Sequence, residues 1–222
     1  MSKHLETEMA RLKKAILGLA AVVERSVGRA VQALEKRDAR LAQELIDADA
    51  EIDHTEVDIE EECLKILALH QPVAVDLRLI VAVLKINNDL ERVGDLGVNI
   101  AERALHICNQ PPIELAFDFA GMHHTALGML GRSLDALMKL DAELARSVRS
   151  QDDEVDEMNR RMYAVFGQAV RANPDKVEVL LSYLSTVRHL ERIADYATNI
   201  AEDVIYLVEG QIVRHQPSPP SQ

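Results

Sequence analysis

The sequence predicts an all-α fold: six long helices arranged as two tandem three-helix bundle repeats with pseudo-twofold symmetry. Three observations carry this. Apolar residues recur at spacings of three and four along most of the 222 residues, and no segment reads as a credible strand. The chain is 48% hydrophobic but only 3% aromatic, with no Trp, so Ala, Leu, Val and Ile must build the core. That composition suits closely packed helices better than a two-sheet sandwich. Finally, "DLERVGDLGVNIAERA" near the middle returns as "HLERIADYATNIAEDV" 100 residues later.

The first helix covers residues 4–36, where Leu5, Met9, Leu12, Ile16, Leu19, Val23, Val27, Ala30 and Leu34 form one apolar stripe. "KRDARL" breaks the rhythm, and Asp38 is a candidate cap for the next helix. That second helix, 39–69, is rich in carboxylates and ends at "LHQP", because Pro72 disfavours helical geometry at Gln71. Pro72 then opens a third helix over 73–108, about 54 Å long at 1.5 Å per residue, which "CNQPP" stops. Its "LIVAVLKI" is strand-like locally but lies inside the long helical pattern.

The second half repeats the plan with helices over 113–138, 141–171 and 175–209. "RANP" mirrors "LHQP", and Gly210 is a candidate C-cap. "RHQPSPPSQ" reads as a disordered tail. The expected organisation is a first repeat over 1–110, a second over 111–210 and a Pro/Ser-rich tail over 211–222. Short links make neighbours antiparallel, as two bundles side by side or one elongated six-helix body.

A formal net charge of −12, with no long Lys/Arg cluster, argues against nucleic acid and anionic membrane surfaces as partners. It favours cations or a basic protein. Two cysteines, Cys63 and Cys108, are too few for a disulfide scaffold and point to a reducing, cytoplasmic location. "MSKHLETEMARLKK" lacks an apolar signal core, and "LRLIVAVLKI" falls far short of the roughly 20 residues of a membrane span, so direct insertion is not expected. Phosphate-loop, nucleophile-elbow and HExxH motifs are absent. The Glu-x-x-His of di-iron bundles is also missing, since Gly94 and Ala194 stand three residues after Glu91 and Glu191.

The repeated segments place Glu91, Asp95, Asn99 and Glu102 within about 80° of one another on a helix, opposite Val93, Leu96 and Ile100. Glu191, Asp195, Asn199 and Glu202 repeat this layout opposite Ile193, Tyr196 and Ile200. The second helix carries Asp49, Asp53, Glu56 and Glu60 on one face; the fifth carries Asp152 and Asp156, followed by Asn159. An acid, three residues and then Asp thus occur on four helices. Like charges at this spacing cost a few tenths of a kcal/mol per pair, and two facing rows repel further unless a cation lies between them. Carboxylate and amide oxygens suit Mg, Ca, Mn or oxidised iron, and carboxylates also take Zn. One metal cluster per half is therefore expected. The plainer reading is a solvated acidic face on each helix, copied by duplication. His54, His189, His123, His124, Cys63 and Cys108 read as structural, and Arg92 and Arg192 as partners of nearby acids or of another protein.

The two "LERxxDxxxNIAE" segments, the acid-x-x-x-Asp pairs on the preceding helices and the duplicated three-helix plan resemble the PhoU family over essentially residues 1–210. The resemblance implies multinuclear Fe or Zn clusters, with Mn, Mg or Ca as other candidate ions. They would be held by Asp49/Asp53, Glu91/Asp95, Asp152/Asp156 and Glu191/Asp195, with Glu56, Asn99, Glu102, Asn199 and Glu202 as neighbouring ligands. The halves differ: Arg78 corresponds to Glu178, and Glu60 to Tyr163. The resemblance also implies a cytoplasmic, non-enzymatic regulator of phosphate homeostasis, a common homodimer. Its partners would be the phosphate-specific ABC transporter and a sensor histidine kinase at the inner membrane, and it would restrain the phosphate-starvation response. The alternatives are a carboxylate-bridged metal-dependent hydrolase and a metal-storage bundle.

Overall fold

The computed structural model describes residues 3–48 and 50–213. Its helices are α1 (Lys3–Lys36), α2 (Ala39–Asp47), α3 (Ala50–His70), α4 (Ala74–Cys108), α5 (Phe119–Lys139), α6 (Ala142–Arg149), α7 (Asp152–Ala172) and α8 (Val177–Glu209), with a short 3₁₀ turn at Pro174–Lys176. The all-α expectation holds, with six rods in two three-helix bundles. The second and fifth rods, expected as unbroken, are each interrupted: one between α2 and α3, the other at Ser150 and Gln151 between α6 and α7. Asp49 falls at the first interruption, outside the described residues, as does the expected tail from 214 onward.

Local chemistry repeats between the halves. Arg37 and Leu140, each with φ 51°, turn the chain out of α1 and α5 in the left-handed region. The following amides reach back, Asp38 N–H to Ala33 O at 2.9 Å and Asp141 N–H to Ala136 O at 3.0 Å, closing both helix ends. Asp38 and Asp141 then cap α2 and α6 by accepting from the Leu41 and Leu144 amides, each at 3.0 Å. The Arg37 guanidinium also donates to the carbonyls of Ile107 and Gln110, tying the end of α1 to the end of α4. Gly210 caps α8 as expected, with φ 73° and its amide on Tyr206 O.

Two starts differ from the periodicity. Pro72 precedes α4 without entering it: Val73 is the N-cap and Ala74 the first helical residue, after Gln71 turns with φ 45°. The fourth rod begins at Phe119, not near 113. Pro111 and Pro112 keep the chain extended, and Ile113, Leu115 and Phe117 then pack on the core while Glu114, Ala116 and Asp118 face water. Asp118 ends this strap by accepting from the Gly121 amide at 2.8 Å.

The long helices α4 and α8 pack against each other at the centre, with α1 on α4 and α5 on α8. The α2–α3 rod lies on α1 and α4, and the α6–α7 rod on α5 and α8. Val93, Leu96, Ile100, Ile193 and Ile200 of the repeated segments are all buried, so one apolar core runs through both halves. Gly94 and Gly97 allow close approach on α4: a Cβ would lie 3.1 Å from Ile52 of α3 at Gly94, and 3.2 Å from Val27 of α1 at Gly97. The stripe buried by this packing turns the acidic sides of α3 and α4, and of α7 and α8, toward each other.

Candidate metal centres

In the second half, buried Val155 and Met162 anchor α7, and Ile193 and Ala197 anchor α8. This brings Asp152 and Asp156 of α7 beside Glu191 and Asp195 of α8. Asp152 is pushed up to about 6 by burial and by the charges of Asp195, Asp156 and Asp153. Asp195 is likewise pushed up to about 6, by burial, Glu191 and Asp156, against the opposing pull of Arg192. Glu191 is raised by burial and Asp156, although Arg188 and a hydrogen bond from Asn159 pull the other way. The Asn159 side-chain oxygen is buried without a hydrogen-bond partner.

The first half has the same arrangement. Ile52 and Ile59 seat α3, and Asn87 of α4 ties it down by donating to the Glu56 carbonyl at 2.8 Å and its carboxylate at 3.0 Å. Glu56 is raised by burial, Glu60 and Asp53. Glu91 is raised by burial and Asp95, with smaller contributions from Asp53 and Glu56 across the helix pair. Arg92 stands against this repulsion, its guanidinium 3.3 Å from both Glu91 and Asp95. The buried Oε2 of Glu91 is the oxygen that faces Arg92 Nε, in an ion pair but not in a hydrogen bond. Each half therefore holds clustered oxygen donors, exposed at Asp53 and Asp195 and half-buried at Glu56, Glu91 and Asp152, a donor set that fits hard or borderline cations.

The outer residues of the rows behave differently. Glu202 is buried and lies 3.3 Å from Arg149 of α6. Glu102 is exposed and lies 3.3 Å from Arg103. Asn99 and Asn199 are half-buried, one turn beyond Asp95 and Asp195. Tyr163, opposite in register to Glu60, is exposed. Among the other residues singled out, burial pushes the Cys63 thiol up to about 12, with Glu60 and Glu62 adding to it. His189 is lowered to about 4 by burial and by Arg192, Arg103 and Arg188. His54 Nδ1 meets the Ala50 carbonyl on its own helix.

Among the described residues, three His, Cys or acid side chains have their ligand atoms within 4.8 Å of one another in one place, at His4, Glu8 and His70. No three of the described acid-row carboxylates come this close together. Sequence reasoning missed this group. His4 and Glu8 share a helix face at i,i+4, which is readable, but His70 arrives from 62 residues away on another helix.

The sequence profile of the PhoU domain matches residues 16–104 and again 119–204. The chain belongs to the PhoU family. It is 37% identical over 218 residues to the "Phosphate-specific transport system accessory protein PhoU homolog" of Pseudomonas putida, covering 97% of this chain and 84% of that one. The protein of the same name in Aquifex aeolicus is 38% identical over 209 residues, covering 94% and 95%. The crystal structure of PhoU from Pseudomonas aeruginosa superposes with a TM-score of 0.86 at 36% identity, covering 93% of this chain and 99% of that one. The "phosphate transport system regulatory protein PhoU" of Streptococcus pneumoniae superposes at 0.84 with 31% identity, covering 94% and 99%. PhoU relatives are thus named as accessory and regulatory proteins, not as enzymes. No described helix of this PhoU-family chain is long and apolar enough to cross a membrane.

Proposed function

We propose that this chain is a cytoplasmic regulator of phosphate homeostasis, working on a phosphate-specific ABC transporter and a sensor histidine kinase at the inner membrane through protein–protein contacts. It would restrain uptake and the starvation response when phosphate is plentiful. Supporting this reading are the names of its relatives and full-length similarity to them. The two repeats, 1–110 and 111–210, would act as paired units of one body, and a homodimer would double them. The turn between α3 and α4 exposes Leu69, Val73, Val75 and Leu77, apolar groups suited to a protein contact.

Each half would carry one multinuclear Fe or Zn cluster. Glu91/Asp95 and Asp53 with Glu56 are its core in the first half, joined by Asp49; Glu191/Asp195 and Asp152/Asp156 are its core in the second. Asn99 and Asn199 would be neighbouring ligands, and Glu102 and Glu202 would join them on leaving Arg103 and Arg149. Bound cations would supply the positive charge that these partly buried carboxylates lack and would lock α3 to α4 and α7 to α8. The observation that carries the reading is the same partly desolvated acid cluster, built twice, between equivalent helix pairs.

The test is deletion of the gene followed by complementation. Deletion should derepress alkaline phosphatase in phosphate-rich medium. The wild-type gene should restore repression, and one carrying both Asp95→Asn and Asp195→Asn should not. Unchanged repression and normal phosphate uptake after deletion would contradict the regulatory reading. Full restoration by the double variant would contradict the role of the metals.

A further inference from the structure

We propose that His4, Glu8 and His70 form a separate transition-metal site, suited to Zn²⁺, that staples the start of α1 to the end of α3. His4 Nε2 lies 3.2 Å from Oε1 of Glu8, and His70 Nε2 lies 2.6 Å from Oε2. The two imidazole rings are 5.5 Å apart, centroid to centroid. One carboxylate is thus shared by two imidazole nitrogens, and both nitrogens are the outer, ligand-competent Nε2.

The fold holds these groups in place. His4 and Glu8 are one turn apart on α1, and Glu8 belongs to the face that packs into the bundle, its side chain only 6% exposed. His70 is the last residue of α3, where Gln71 turns into the left-handed region before Pro72 and fixes the helix end. Its side chain is 16% exposed, whereas that of His4 is 74% exposed. Two ligands are therefore held by packing, and the third side faces water, which can fill a fourth position.

Two imidazoles and a carboxylate form a borderline donor set of the kind that takes Zn²⁺ in preference to Mg²⁺ or Ca²⁺. Around a tetrahedral zinc with bonds of about 2.0–2.1 Å, ligand atoms stand about 3.3 Å apart. The 3.2 Å and 2.6 Å approaches are to different oxygens of Glu8, so a metal bound through one of them requires the Glu8 carboxylate and the imidazoles to rotate, the metal replacing the proton of the His70–Glu8 hydrogen bond. His70 also lies 14 residues beyond Glu56, about 21 Å along α3, so this site shares no ligand with the acid rows and does not depend on them. Its chemistry differs as well: nitrogen-rich here, all-oxygen there.

Metal-stripped full-length protein titrated with Co²⁺ tests the proposal. One equivalent should give the intense visible absorption of a four-coordinate, imidazole-bound Co²⁺, which six-coordinate oxygen sites do not give, and Zn²⁺ should displace it. His4→Ala, at an exposed position that folding does not require, should weaken this binding by about tenfold or more, and His70→Gln should remove the band. The band should persist when Asp95→Asn and Asp195→Asn are combined. Zn²⁺ should also raise the melting temperature of that acid-row variant, and His4→Ala added to it should cancel the rise. Absence of the band from the wild type, or a band and Zn²⁺-induced shift unchanged by His4→Ala, would overturn the proposal and leave a hydrogen-bonded clasp. A band lost only in the acid-row variant would assign the ion to the acid rows instead.

Discussion

At Asp195 and Asp152, burial and neighbouring carboxylates disfavour the very charge that a metal ligand must carry, and they hold both groups at about 6. The folded value lies above the ordinary carboxylate value of 3.8. In the metal-free protein their contribution to stability is therefore complete below about pH 4 and is lost as pH rises through 6. Asp195→Asn should stabilise the metal-free protein by about 1 kcal/mol at pH 8, allowing for solvent screening at a group that still reaches water. Denaturant unfolding checks this, and the gain should vanish toward pH 4. The same substitution should weaken metal binding in the second half. In the wild type that binding should fall as pH drops below 6, because protons then compete for the ligands; calorimetry at several pH values would show it. A variant that gains stability while losing metal separates a binding site from a merely solvated acidic face. The angular position of these acids was legible from the helical period alone. The partners that claim Glu102 and Glu202 were not: Arg103 is adjacent in sequence, but its choice of Glu102 is a rotamer, and Arg149 comes from a different helix.

Among the helices, α4 shows how packing sets the site. A Cβ at Gly94 would already lie 3.1 Å from Ile52, so the spacing of α3 and α4 depends on the missing side chain. Gly94→Val should destabilise the protein by about 1–3 kcal/mol through overpacking. It should also spread Glu91 from Asp53 and Glu56, so metal binding in the first half should weaken while that in the second half persists. Thermal unfolding and metal titration of the same variant check both effects. The sequence offers Gly94 beside Glu91 and Asp95, but nothing in it says that Ile52 faces the gap. The rods themselves were readable because apolar residues keep a strict helical rhythm. Their interruptions were not, because neither Ser150–Gln151 nor the α2–α3 join carries a Gly or Pro, and the rhythm continues across both. The strap before α5 left a clearer trace. Ile113, Leu115 and Phe117 alternate with Glu114, Ala116 and Asp118, a period of two, and Asp118 stands three residues before the amide it caps.

Over the whole molecule, one apolar core joins the halves through α4 and α8, while the formal charge is −12. The duplicated segments serve both facts. Their apolar faces meet the core, and their acidic faces pair with α3 and α7 to concentrate negative charge in two equivalent places. The family, the bundle and the regulatory role agree with the resemblance carried by those two segments, whereas the His4–Glu8–His70 group has no counterpart in the repeat and emerges only in three dimensions. The central claim is that the two acid clusters are cation sites. Crystals of the full-length protein grown with Fe or Zn, measured at the metal's absorption edge, test it most directly. Anomalous peaks should appear between α3 and α4 and between α7 and α8, about 2.0–2.6 Å from carboxylate oxygens. Density at the edge confined to other places, or none at either helix pair, would contradict it.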